Sequence, residues 1–167
     1  MQPGTKIEDV PKGERAGLIP ILEESFEGLY LWHSKRTLQS IEVVRAARTP
    51  ACEAAGLVML KVFPEGAGYV YYVAVSPSFR RQGIGGRLVD DAVSYFARNG
   101  VRDVYASVEE DNDESRKLFS SRGFEEVRGS EMSERYGRIR AMIMRSEMMV
   151  VPGEVLLAKR LGGAKRL

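Results

Sequence analysis

Apolar positions along the chain switch between a helical spacing of three to four residues and the alternation of a strand. "TKIEDV" (5–10) predicts a short strand that Pro11 and Gly13 stop. From Glu14 to Ile41 the spacing is helical, and Pro20 with Gly28 divides it into two consecutive helices. "IEVVRAAR" (41–48), "AGLVMLKVF" (55–63) and "YVYYVAV" (69–75) are rich in β-branched and aromatic residues and predict strands. Thr49-Pro50 and "PEGAG" supply the turns between them, and Ser76-Pro77 ends the third.

The second half opens on a long helix. Ile84, Leu88, Ala92 and Phe96 recur at four-residue intervals with Val89 and Val93 beside them, so one apolar stripe faces the core. Asp90, Asp91 and Arg98 are expected to face away, and Asn99-Gly100 stops the helix. "VRDVYASV" (101–108) alternates as a strand, with Val104, Ala106 and Val108 on one face. "DNDESRKLFSSRG" (111–123) predicts a short helix capped by Asn112 or Asp113, and "FEEVRG" (124–129) another strand. Glu131 to Met149 reads as one helix with Met132, Tyr136, Ile139 and Ile143 along one side. Pro152-Gly153 breaks it, and "EVLLAKRL" (154–161) closes the chain's pattern as a strand. The whole predicts an α+β fold in a single domain spanning 1–167, without internal repeats.

Composition narrows the partners. The 167 residues are 44% apolar and 29% charged, with a net charge of +2, which suits one folded domain with a real core. That mild basic balance fits an anionic ligand, whereas basic residues dispersed along the chain leave no nucleic-acid footprint. Cys52 is the only cysteine and His33 the only histidine, which excludes an internal disulfide and a Cys-based zinc site, and no metal is expected. Cys52 reads as a partly buried structural thiol and His33 as a structural residue of its helix. "MQPGTKIEDVPKGE" lacks an apolar signal core, and no stretch approaches ~20 apolar residues. A cytoplasmic protein with no membrane partner is expected.

"VSPSFRRQGIGGRLVDDAVSYF" (75–96) carries the clearest chemistry. Glycines between a strand and a helix allow turns closed to other residues and let a ligand approach the backbone. The helix start adds unpaired N–H groups and the positive end of the dipole, and Arg80 and Arg81 add full charge. Together these form a nest for phosphate. A dinucleotide fingerprint from Gly83 would need glycine where Leu88 stands, and a Walker loop would need Gly-Lys-Ser/Thr where the chain has Arg87-Leu88. A kinase glycine loop lies between strands.

What remains resembles the GCN5-related N-acetyltransferase (GNAT) family. Arg80-Arg81-Gln82-Gly83-Ile84-Gly85 is similar to its R/Q-x-x-G-x-G/A motif, and "VAVSPSFR" to its lead-in. A second block, "VEEDNDESRKLFSSRGFEEV", resembles the family's V…N-x-x-A-x-x-L-Y…G-F pattern through Asn112, Ser115, Leu118, Phe119, Gly123 and Phe124. The resemblance runs from about Ile41 to Val127. It implies a central mixed, mostly antiparallel sheet flanked by helices, with strands 69–75 and 103–108 splayed to form an acetyl-CoA cleft. It also implies backbone contacts to the pantetheine from Val73, Ala74 and Val75, and a pyrophosphate held by Arg80, Arg81, Gln82, Gly83, Ile84, Gly85 and Gly86. Asn112 would contact the pantetheine or phosphate arm, beside Ser115 where alanine is usual. Arg116 and Lys117 either reach the outlying phosphate or face solvent.

The proton-handling groups match less well. Phe119 stands where many members carry a tyrosine acid, and Ser107 where many protein-acetylating members carry Glu or His. Substitutes are Tyr69 and Tyr71 on the first splayed strand, Glu109 and Glu110 acting through water, and Tyr136 of the later helix; Tyr69 and Glu110 are the catalytic candidates. A thiolate leaving group of pKa about 8.5 needs little acid help. Residues 130–153 replace a short hairpin loop and carry Met132, Met142, Met144, Met148 and Met149 with Arg135, Arg138, Arg140 and Arg145. Methionine clusters suit adaptable surfaces, so this insert is a candidate for substrate selection or a homodimer contact, against an extra core-packing helix.

The expected function is direct acetyl transfer from acetyl-CoA to a primary amine of a protein or peptide, N-terminal or lysine. The alternatives are a small-amine N-acetyltransferase (polyamine, amino sugar or amino acid) and a catalytically quiet acetyl-CoA-binding sensor.

Overall fold

The computed structural model describes residues 4–162. Its elements follow the order β1 (Lys6–Asp9), a 3₁₀ turn (Lys12–Leu18), α1 (Ile19–Ser25), α2 (Gly28–Ser40), β2 (Val43–Arg48), β3 (Ala54–Phe63) and β4 (Ala67–Val75). After a second 3₁₀ turn (Pro77–Phe79) come α3 (Ile84–Arg98), β5 (Asp103–Glu109), α4 (Asp113–Ser120) and β6 (Glu125–Val127), then α5 (Gly129–Tyr136), α6 (Arg138–Met148) and β7 (Glu154–Arg160). The strands make one sheet in the order β1-β2-β3-β4-β5-β7-β6. β1/β2, β2/β3, β5/β7 and β6/β7 are antiparallel, and β4/β5 are parallel. The parallel pair follows from the helix between its strands, since parallel neighbours need a crossover of that length. A mixed, mostly antiparallel sheet is what the resemblance implies, and the α+β class is what the pattern predicts.

The chain divides into two compact units, residues up to Lys61 with Tyr72–Ala92, and Val62–Tyr71 with Val93 onward. In the first unit, β1 to β3 form a meander. Arg15 is only 2% exposed there. Its guanidinium donates to the carbonyls of Val10 (3.3 Å), Leu38 (3.0 Å), Ile41 (2.6 Å) and Glu42 (3.1 Å). One planar fork thus meets backbone acceptors at the C-terminal end of α2 and on both flanking segments, where a helix leaves carbonyls unpaired. Burial pushes the Arg15 pKa down from its ordinary value. Asp91, expected to face solvent, instead accepts the Arg45 guanidinium through both oxygens, and Arg45 also reaches Asp9 at 2.8 Å. Pairing across the helix face overrides the stripe pattern there. Cys52 is exposed rather than partly buried, in a turn with φ 64°.

The second unit corrects the reading of residues 131–149. Two helices replace the one expected, broken at Gly137, where φ is 84°. Met132 is buried as expected and Tyr136 half-buried, but the break turns the next helix about its axis. Ala141, Met144 and Met148 therefore fill the core, while Ile139 (71% exposed), Met142 and Ile143 lie outside. Three of the methionines read as an adaptable surface are thus core residues. Their partners include Phe63, Tyr69, Tyr105 and Leu156. Two of the arginines are also engaged, Arg135 by Asp103 and Arg140 by Glu65.

Candidate functional site

In the first unit β4 leads through the Pro77–Phe79 turn into the glycine loop. Arg80 is extended, Arg81 takes φ 60° and Gly83 φ 77°, and Ile84 begins α3. The bond from the Arg87 N–H to the Gly83 carbonyl (3.1 Å) starts the helical ladder, so the preceding amides lie at the helix start. A Cβ on Gly83 would meet nothing within 4 Å, so its glycine answers to the backbone angle and to open space. Arg80 to Gly83 are exposed, Gly85 is half-buried, and Ile84 and Gly86 are buried.

A signal missed in the sequence sits behind the loop. A Cβ on Gly56 of β3 would lie 2.8 Å from the Ala74 carbonyl and 3.1 and 3.4 Å from the side chains of Leu88 and Ile84. Only glycine lets β3 meet β4 and the first turns of α3 this closely, which fixes where the loop points. Arg80 Nε donates to the Val75 carbonyl (3.0 Å), and Arg87 to the Thr5 hydroxyl and carbonyl. Val73 and Val75 are half-buried and Ala74 is buried.

The same unit holds a contact between residues far apart in sequence. His33 Nδ1 of α2 lies 2.6 Å from the Tyr72 hydroxyl of β4, with Thr37 Oγ1 at 3.5 Å. The Tyr72 ring also meets Phe26 edge-on at 5.2 Å. Burial, and then the Arg36 cation, lower the His33 pKa, so the imidazole is neutral at pH 7. Nothing in the local pattern joins the two residues.

In the second unit the β4–β5 ladder runs from Ala67↔Asp103 to Val70↔Ala106, although β5 continues to Glu109. Tyr69 is 2% exposed, and its hydroxyl lies 2.7 Å from Ser107 Oγ. Two of the residues singled out in the sequence therefore meet, a buried tyrosine on a half-buried serine. Tyr71 stacks edge-on to Tyr69 at 4.8 Å, and burial, with the Glu147 carboxylate, pushes its pKa up to about 12. Glu109 and Glu110 are exposed. The Glu110 amide donates to the Gly153 carbonyl, and its own carbonyl accepts from Arg116, both at 2.8 Å.

Asn112 caps α4, its Oδ1 accepting from the Ser115 amide at 3.0 Å. Arg116 also pairs with Glu126 at 3.4 Å, so backbone and carboxylate hold it, while Lys117 is exposed. Phe119 is buried, packed edge-on to Phe124 at 5.1 Å, which is a core role. Tyr136 donates to Asp103 Oδ2 (2.9 Å) and accepts from the Tyr105 hydroxyl (3.2 Å). Arg135 Nε meets the same Asp103 oxygen at 2.7 Å. This cluster anchors α5 to β5.

Burial, first among the causes, raises the pKa of both Tyr105 and Tyr136 as it does that of Tyr71. In the unfolded chain these phenols ionise near 10, so their contribution to stability is complete below about pH 10 and drains as pH climbs above it. A native-state titration followed by tyrosinate absorbance should show late-ionising tyrosines, with the urea midpoint falling over the same range. Ionisation of all tyrosines near their ordinary value without unfolding would contradict the packing.

The acetyltransferase (GNAT) family model matches residues 20–124, which include the glycine loop, both ends of the β4–β5 ladder and the Asn112 cap. The chain belongs to the GNAT acetyltransferase family. Two Arabidopsis thaliana proteins resemble this GNAT chain over 61 residues, "Probable N-acetyltransferase HLS1-like" at 41% identity and "Probable N-acetyltransferase HLS1" at 43%. Each match covers 36% of this chain and 15% of the relative. Among solved structures, the ribosomal-protein-S18-alanine N-acetyltransferase of Escherichia coli aligns with a TM-score of 0.70 at 16% identity, covering 98% of this chain and 99% of that one. A Thermoplasma acidophilum PaiA N-acetyltransferase in complex with coenzyme A aligns at 0.71 and 13% identity, covering 95% and 99%. These likenesses bear on the GNAT fold. Among the described residues, no cluster of three or more His, Cys, Asp or Glu could hold a metal, and no helix is long and apolar enough to cross a membrane.

Proposed function

We propose that this GNAT-family chain is a single catalytic domain that transfers acetyl from acetyl-CoA directly to a primary amine of a protein or peptide. The observation that carries this reading is the glycine loop at the start of α3. Its left-handed Gly83 opens onto empty space beside exposed Arg81 and the helix's first amides, a cradle suited to a pyrophosphate. The β4 segment before it, Val73 to Val75, would run alongside the pantetheine, and a β4 amide would polarise the thioester carbonyl.

Direct transfer needs a neutral amine. Its lone pair attacks the thioester carbon, the C–N bond forms and the C–S bond breaks, and the departing thiolate takes up the proton that the nitrogen sheds as it becomes an amide, with little need of a separate acid. That requirement fits a chain whose Phe119 is a core ring and whose Ser107 is bound to Tyr69. A peptide acceptor is favoured by the fold neighbour that acts on a ribosomal-protein alanine.

The test is a thiol-release assay with acetyl-CoA over an alanine-terminated peptide, a lysine peptide, spermidine, glucosamine and free amino acids. Turnover highest on a peptide is the expected result. Turnover confined to a small amine would move the acceptor, and silence with acetyl-CoA binding intact would favour a sensor.

A further inference from the structure

We propose that Tyr72 and His33 form the proton-accepting pair of this active site, with Tyr72 facing the acceptor amine and His33 receiving its proton. The inference rests on the acetyl-transfer reading above, and it fills the role that Ser107 and Phe119 leave empty. Both residues lie in the first unit, with Val73 to Val75 and the glycine loop. Tyr72 is one strand step, about 3.3 Å, from Val73, whose backbone flanks the proposed thioester. Its hydroxyl is therefore within a side chain's reach of an attacking amine.

The geometry suits a relay. At 2.6 Å the Tyr72 hydroxyl and His33 Nδ1 make a short hydrogen bond, and both residues are half-buried, so a ligand can reach them. Phe26 holds the Tyr72 ring edge-on, and Thr37 lies beside the imidazole. Burial first, and then the Arg36 cation on the same helix, disfavour the protonated imidazole at rest. The proton balance is simple. The ammonium N–H proton passes to the Tyr72 oxygen as the Tyr72 hydroxyl proton moves to His33 Nδ1, giving a neutral amine, a neutral phenol and an imidazolium. The imidazolium then loses its proton to water.

Tyr72 is the catalytic residue in this scheme and His33 acts through it. As the chain's sole histidine, His33 can be read directly from its ring ¹⁵N resonances. The expected wild-type spectrum at neutral pH has Nδ1 unprotonated and Nε2 carrying the hydrogen, and Tyr72→Phe should erode that preference. Tyr72→Phe and His33→Gln should each lower kcat about 100-fold, the scale of lost general base catalysis. Acetyl-CoA affinity and the unfolding midpoint should stay near wild type in both. Turnover kept within about threefold overturns the pair. So does a loss matched by weaker acetyl-CoA binding, or a wild-type spectrum with Nδ1 protonated. If a variant fails to fold, the wild-type tautomer decides. A wild-type protein that binds acetyl-CoA yet acetylates no amine overturns the acetyl-transfer reading and this pair together, whereas active wild type with active variants overturns the pair alone.

Discussion

Gly83→Glu should weaken acetyl-CoA binding at least about 100-fold, a loss of ~2.7 kcal/mol, while the protein stays folded. The side chain meets no protein atom, because a Cβ there has nothing within 4 Å, so packing is undisturbed. The backbone angle of 77° costs a non-glycine residue about 1–2 kcal/mol, which a folded domain tolerates. The binding loss has two sources. The new side chain occupies the space in which phosphate would sit, and its carboxylate sets a negative charge at a helix start that favours anions as ligands. Calorimetry with acetyl-CoA, beside a thermal melt, separates the effects. Unaltered affinity in a folded variant would show that the loop is not a phosphate nest.

Arg15→Met should lower stability by about 3–5 kcal/mol, near the largest loss a single side chain causes in a domain of this size. Methionine replaces the apolar stem with little cavity. What disappears is the donor for the carbonyls of Val10, Leu38, Ile41 and Glu42. Each buried acceptor left unmet costs roughly 1–3 kcal/mol, and some of those at the end of α2 can recover water. Arg15→Lys should fall between, since an ammonium cannot span acceptors as a planar fork does. Urea denaturation measures all three proteins. A loss below about 1 kcal/mol for Arg15→Met would mean that the carbonyls find other donors and that the fork is not a staple.

These two sites differ in how far the sequence revealed them. The glycine loop is a local device: three glycines, two arginines and a helix start lie within seven residues, so its chemistry can be read from order alone. Arg15 gave no such sign. Its partners are up to 27 residues away, and a single arginine among 25 basic residues looks like any solvated one. The same division explains Gly137. A glycine inside an apolar periodicity can be passed over or can break the helix, and only its angle of 84° shows which. Once the helix broke, the stripe through Ile139 and Ile143 turned outward and Met144 and Met148 turned in.

By itself the sequence determined the order of the elements up to β6, the apolar stripe of α3, the strand–glycine–helix junction and the family those motifs signal. Periodicity, capping and turn chemistry act over a few residues, so they are written locally. The tertiary structure alone decided which distant side chains meet. It joined Tyr69 to Ser107, held Tyr136 on Asp103, packed Phe119 on Phe124 and set Tyr72 against His33. Those pairings depend on strand register and on which face each helix presents, and long-range packing sets both.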